Sequence, residues 1–569
     1  MTEAFESTGT NASALFTLKL HRGEGMALLG MNWKDATPPD NLVGFGIEYQ
    51  EPGGQQFHPV TNRLTFQGVN AQDPGVKSSL RSPIQKWRWV HFPFNAELTG
   101  DFVYRVTPVF MDDHDVLSYG APQQAAVQLA RETYPGQFNV AFTRGFVSSQ
   151  AFVDRFAKDG DISELLPAEA DAGLSFTPSH PDTKVALDWM GFEARRAILG
   201  LLDQAIADET TQVYAIAYDL NEPEVVTRLE QLGGRLTVII DDSGDHKAPD
   251  SAETAAAKRL SASAGAARVK RQHMADLQHN KMIVVDGPQL QQAVCGSTNF
   301  SWRAFFVQNN NAMVVTGAET IAPFLAAFRA YWASSKAATF GASPPAEWES
   351  LGLAGIDTKA AFSPHSAANA LLARVADDIT QAESSVLYSL AFLYQTKGPI
   401  RDAITQVTGS DDVFVYGISD QSVGGLEVQK PDGNLAPVSP AQLSENVPEP
   451  FKSEPSGGSG VRMHHKFVVI DFDKPTARVY VGSYNFSSPA DRKNGENLLL
   501  IRDRRIATAY MIEAVRIFDH YEFRVKEAAG KTAPAALFLQ KPPRQTGQTA
   551  WWFRDFHQPQ RIRDRVLFS

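Results

Sequence analysis

Two passages of this chain are near copies of one another: HNKMIVVDG…CGSTNFS…NNNAMVV and HHKFVVIDF…VGSYNFS…NGENLLLI. Their leading histidines, His279 and His464, are 185 residues apart, and the glycines of the Gly-Ser pairs that follow, Gly296 and Gly482, are 186 apart. A spacing kept this closely means that a whole folding unit is repeated, not a short motif. The flanking patterns agree. A helical run at 193–207 leads to a strand at 212–220, a helix at 222–232 and a strand at 235–241; the second copy has the same order at 367–382, 384–393, 397–407 and 412–418. Strands alternating with helices predict parallel strands covered by helices, hence two α/β lobes. A helical run at 318–335 and a proline-containing stretch to about 363 join the copies, and a helical run at 505–529 follows the second.

The first part of the chain reads differently. Short apolar or alternating runs at 14–20, 26–33, 42–49, 87–94, 102–110 and 138–146 are separated by turn clusters such as EPGG (51–54) and DDHD (112–115). Strands at this spacing predict an antiparallel β-sandwich. The stretch GDFVYRVTPVF resembles a strand of a fibronectin type III or immunoglobulin-like domain. Asp112, Asp113, His114 and Asp115 are read as a solvated turn rather than a metal loop. The expected organisation of the 569 residues is multidomain: an all-β sandwich at 1–146, a linker at 147–190, one lobe at 191–345, and a second lobe with a C-terminal tail at 346–569.

Composition narrows the class. Hydrophobic residues at 43% and charged residues at 21% fit a globular protein, and no apolar run reaches the ~18–20 residues of a membrane span. The net charge of −11 argues against tight non-specific binding to nucleic acid, which basic surface drives. A single cysteine, Cys295, excludes an intrachain disulfide and any Cys-based zinc site, and reads as a small buried apolar residue. The start, MTEAFESTGTNASALF, lacks the basic and apolar regions of a secretory leader, so the expectation is a cytoplasmic protein or one exported without a cleaved signal.

The chemistry lies in the repeat. In a strand, side chains at i and i+2 share a face. His279 and Lys281 therefore point one way and Asn280 the other; His464 and Lys466 share a face, and His465 faces away and is read as non-catalytic. Apolar runs at 282–285 and 467–470 follow, as in buried strands, and end at Asp286 and Asp471. A second strand in each copy ends in Gly-Ser-x-Asn, giving Ser297 and Asn299, then Ser483 and Asn485. Face to face, the copies offer two imidazoles, two ammonium groups and several hydroxyl and amide donors, a set suited to a tetrahedral phosphate. One histidine can attack phosphorus while the other protonates the leaving oxygen, and the aspartates support the charge balance. No metal is expected there: each imidazole shares its face with an ammonium group that repels a divalent cation.

HxKx₄D followed by GSxN, twice in one chain, resembles the phospholipase D superfamily over about residues 191–530. The resemblance implies duplicated α/β lobes with the active site at their pseudo-twofold interface. It implies ping-pong phosphodiester cleavage through a covalent phosphohistidine, with no cofactor. By analogy His279 is the nucleophile and His464 the general acid and then base, an order the near-symmetric sequence does not itself fix. The expected catalytic set is His279, Lys281, Asp286, His464, Lys466 and Asp471, with Ser297, Asn299, Ser483, Asn485 and Glu496 binding phosphate or supporting the site. One departure stands out. The family often has an acidic residue 14 positions after the Gly-Ser glycine; Glu496 stands there in the second copy, but Asn310 in the first.

The expected substrate is a glycerophospholipid, met by a monomer in peripheral contact with a membrane. Long Gly-, Pro- and Ser-containing loops at 242–278 and 419–463, read as mobile walls over the site, favour this. A nuclease of the same superfamily needs a basic channel or stacking platform, to which the Arg-rich tail after 553 contributes. A catalytically silent lipid-binding adaptor is disfavoured by two intact motif sets. Arg268, Lys270 and Arg271 are read as a solvated loop placed to guide an anionic headgroup, and Trp302, Phe305 and Phe306 as core.

Overall fold

The computed structural model describes residues 5–69, 73, 75–145, 148–390, 393, 397–420, 426–430, 435–438, 464–532 and 538–569. Most of the 419–463 loop lies outside them. The chain forms two compact units: Met1–Arg131 with Ser410–Phe414 and Thr508–Ser569, and Glu132–Gly409 with Val415–Ala507.

The first unit holds two antiparallel sheets. One runs Glu6–Thr8, Phe16–Arg22, Ala27–Trp33, Arg88–His91; the other runs His58–Pro59, Leu42–Gln50, Asp101–Met111, Leu117–Tyr119, with Gln123–Gln128 also on Asp101–Met111. Alternate residues of both sheets, among them Phe16, Leu18, Leu29, Phe45, Phe102 and Tyr104, share one buried core. Ala550 and Trp552 belong to that core, and Trp551 stacks on Trp87 at 5.3 Å. The tail read as part of the second lobe is thus a piece of the sandwich unit. Gly30 is required where the chain end crosses it: a Cβ there would lie 1.9 Å from the Phe568 carbonyl oxygen. In the DDHD segment Asp112 accepts the backbone N–H groups of His114 and Val116, and Asp115 pairs with Lys541 and Arg544, as a turn should.

The second unit contains two larger sheets. The first orders Phe138–Phe142, Asn311–Thr316, Gln291–Gly296, Lys281–Asp286, Gln212–Ala217, Leu236–Ile240 and Val269–Arg271. The second contains Asp357–Ser363, Glu496–Arg502, Arg478–Gly482, Phe467–Ile470, Ser385–Ser389 and Phe414–Asp420 in the same order, with further strands at both edges. Six consecutive strands correspond, so the sequence repeat is a repeat of structure. The expected parallel strands are present but form only part of the first sheet. Gln212–Ala217, Leu236–Ile240 and Val269–Arg271 run parallel, while Lys281–Asp286 and the strands beyond it run antiparallel, because short connections can only turn the chain back.

The correspondence explains a boundary that sequence placed elsewhere. Phe138–Phe142 was expected in the sandwich, yet it pairs with Asn311–Thr316, where it does for the first lobe what Asp357–Ser363 does for the second. The 147–190 segment carries helix Ser149–Phe156 and the start of helix Thr183–Ala207. The 242–278 segment is likewise built structure: helix Ala252–Ala264, N-capped by Ser251, and strand Val269–Arg271. Lys270 and Arg271 donate to the backbone oxygens of Trp332, Asp241 and His246, so they anchor this segment instead of facing a headgroup. Cys295, Trp302, Phe305 and Phe306 are buried.

Candidate active site

Register places the site. Ala217 lies opposite Lys281, and Gln212 opposite Asp286. His279 and Lys281 therefore stand at the sheet edge where the parallel strands Gln212–Ala217 and Leu236–Ile240 end, the edge at which α/β sheets bind ligands. Asp286 stands at the other edge. Asp471 does the same in the second lobe: it is buried, bonds the backbone N–H groups of Glu383 and Ser384 at 2.8 Å, and pins the turn entering Ser385–Ser389. Seven residues separate each aspartate from its histidine, on the order of 20 Å of extended chain. The structure thus places Asp286 and Asp471, expected in the catalytic set, at the sheet edge away from the two histidines.

The histidines are held by crossed contacts between the lobes. His279 Nδ1 bonds Glu496 Oε2 at 2.8 Å, and Ser483 Oγ donates to the same oxygen at 2.7 Å. His464 Nδ1 bonds Asn310 Oδ1 at 2.6 Å, and Ser297 Oγ donates to that oxygen at 2.9 Å. Asn310 Nδ2 donates to the Ala304 carbonyl, so the amide oxygen must face His464, and His464 Nδ1 must carry the proton. The residues that alternate away also cross: Asn497 Nδ2 donates to Asn280 Oδ1, and Asn311 Nδ2 meets His465 Nδ1. Lys281 and Lys466 each donate Nζ to the carbonyl of the histidine two residues earlier, at 2.5 and 2.7 Å. Ser297 and Ser483 spend their hydroxyls on the orienting side chains and on the Asn311 and Asn497 N–H groups, so they support the histidines and leave phosphate to other donors. Asn299 donates to Asp219, and the Oδ1 atoms of Asn299 and Asn485 have no hydrogen-bond partner among the described residues.

The electrostatics of the two halves differ. Burial lowers the pKa of His279, and the Glu496 carboxylate opposes that shift. His464 is driven well below its ordinary value by burial and by the Lys466 and Lys281 charges, with only a neutral amide against its Nδ1. Burial brings Lys281 down to about 7. Both imidazoles leave Nε2 as the atom turned from its orienting partner.

A further group gathers on the first lobe, which the sequence reading did not name. Tyr218 sets its ring 4.7 Å from that of His279 and 4.6 Å from that of His246. His246 lies between Asp241 (2.8 Å) and Asp219 (3.2 Å), which hold its pKa up at about 10 against the effect of burial. The available signal was the pair of acids, YD at 218–219 and DD at 241–242, at the ends of two predicted strands.

The family model described as "Cardiolipin synthase, PLD-like domain" matches residues 202–332 and 375–517, which include both histidine passages. The chain belongs to the phospholipase D superfamily. Among curated relatives, a phospholipase D of Rickettsia prowazekii is 44% identical over 48 residues, 8% of this chain and 22% of that protein. A mitochondrial cardiolipin hydrolase of Xenopus tropicalis is 40% identical over 60 residues, 10% of this chain and 27% of that protein. The chain thus spans about a quarter of the length of these relatives. Phosphatidylserine synthase of Haemophilus influenzae Rd KW20 aligns at 13% identity and a TM-score of 0.41, over 60% of this chain and 91% of that one.

Proposed function

We propose that this phospholipase D superfamily member is a phosphodiesterase that hydrolyses glycerophospholipids at a membrane surface through a covalent phosphohistidine. The supporting observation is the asymmetric pair: His279 on a carboxylate and His464 on an amide, each held by the other lobe. Attack by His279 Nε2 on phosphorus creates a cationic ring, and Glu496, within 2.8 Å of its Nδ1, balances that charge. The P–O bond to the headgroup breaks as His464 Nε2–H delivers its proton to the leaving oxygen. An imidazolium that nothing stabilises is a strong acid, which suits this role. His464 then takes a proton from water; the water oxygen bonds to phosphorus, the P–N bond breaks, and phosphatidic acid leaves. Lys281 and Lys466 face the non-bridging oxygens, and the anionic phosphate favours the charged form of Lys281 that burial opposes. No step requires a metal ion.

The net charge of −11 and the names of the curated relatives favour lipid over nucleic acid. The test offers the protein mixed phospholipid vesicles in one tube and single-stranded and duplex DNA in another, both with EDTA. Phosphatidic acid with intact DNA is expected. Cut DNA with untouched lipid would overturn the lipid reading and leave the two histidines in their roles.

A further inference from the structure

The group around His246 contains more acceptor atoms than the protein satisfies. Asp219, His246 and Glu253 each offer a ligand atom, all within 4.8 Å of one another. They come from three elements: the end of strand Gln212–Ala217, the turn Gly244–Lys247, and the first turn of helix Ala252–Ala264. Glu253 is 1% exposed; its Oε1 accepts the Leu220 N–H, but Oε2 has no hydrogen-bond partner among the described residues. Asn299, 3% exposed, donates Nδ2 to Asp219, and its Oδ1 also has no partner among the described residues. A buried carboxylate oxygen left unpaired costs about 1–3 kcal/mol or more. Both orphan atoms are acceptors and call for a donor or a cation; the neighbouring carboxylates of Asp219 and Glu253 favour the cation. Burial of Glu253 excludes a bulky substrate ammonium group and admits a bare ion.

The histidine is also prepared. His246 Nδ1 is bonded to Asp241 Oδ2 at 2.8 Å, and Asp241 is fixed by the N–H and hydroxyl of Ser243 and by the Gln278 N–H. A ring nitrogen held by a carboxylate is the usual second partner of a metal-binding histidine, and it aims the other nitrogen. His246 Nε2 lies 3.2 Å from Asp219 Oδ1. Two ligands about 2.1 Å from one ion and about 100° apart are separated by about 3.2 Å.

We propose that Asp219, His246 and Glu253 form a binding site for one divalent transition-metal ion, with Asp241 orienting the histidine. One imidazole and two carboxylates suit Zn²⁺ or Mn²⁺. The ion is structural: it ties the 242–253 segment to the strand end that carries Tyr218, the ring lying against His279. It takes no part in phosphoryl transfer, and the site stands whatever the substrate.

The full-length protein, stripped with chelator and dialysed, is titrated with Zn²⁺ and separately with Mn²⁺ by calorimetry, with metal content checked by mass spectrometry. One ion per chain is expected. The near-isosteric Glu253→Gln should weaken binding at least tenfold with unchanged circular dichroism, and His246→Ala should do the same. The double variant His279→Ala/His464→Ala should bind like the wild type. Absence of saturable binding of either ion, or equal affinity in Glu253→Gln, overturns the proposal. So does loss of binding in the double variant with retention in Glu253→Gln, which would place the ion on the catalytic histidines.

Discussion

His279 and His464 occupy matching positions in two copies of one unit, yet they meet different partners. Three sets of contacts around them correspond: the serine that bonds the orienting side chain, the lysine on the histidine carbonyl, and the Asn280–Asn497 and His465–Asn311 contacts behind. At the orienting position the difference is one side chain: Glu496 can balance a cation and Asn310 cannot. Duplication supplies the geometry twice; on the proposed mechanism, a single change of charge separates the roles.

The largest test removes the rings. On the proposed mechanism, His279→Ala or His464→Ala should lower turnover at least about 10³-fold with the fold retained, measured by product release and circular dichroism. Near-normal activity in either variant would break the two-histidine scheme. Making the halves alike should cost less. Glu496→Gln removes the charge opposite His279 and should lower turnover about 10- to 10³-fold, the equivalent of 1–3 pKa units. The reverse change sharpens the comparison. Asn310→Asp places a carboxylate on His464 and raises its pKa. A general acid works only while protonated, so activity falls as pH rises through that pKa. The descending limb of the kcat/KM profile should therefore move upward by about 1–3 pH units. An unmoved limb would mean that His464 is not the acid.

The motif aspartates give the smallest effects. Asp471 is buried on backbone N–H groups, so Asp471→Asn should cost about 1.5–3 kcal/mol of stability in urea unfolding, with turnover changed little. Asp286 is partly exposed, and Asp286→Asn should stay within about 0.5 kcal/mol.

The fate of these aspartates shows what the sequence made legible. The His-x-Lys pairs and Gly-Ser turns were readable because strand alternation and the repeat fix their faces. Asp286 and Asp471 looked catalytic because they are near in sequence, but a strand carries them to the far edge of the sheet. Asp219, Asp241, His246 and Glu253 come together from separate elements, and no spacing links them. Phe138–Phe142 has the alternation of a sandwich strand, and alternation does not say which sheet a strand joins. The fold class of both units was legible; the mixed strand directions and the partner of the aromatic tail were not.

That tail bears on how the protein is made. The sandwich core holds both Phe16 and Trp552, which lie 536 positions apart in the chain. At about 5–20 residues per second, translation separates their emergence by on the order of a minute. Through that interval the earliest strands leave the ribosome without the side chains that complete their core. This unit is thus finished late, its unfilled apolar face open to chaperones or to misassembly until Ala550 and Trp552 arrive.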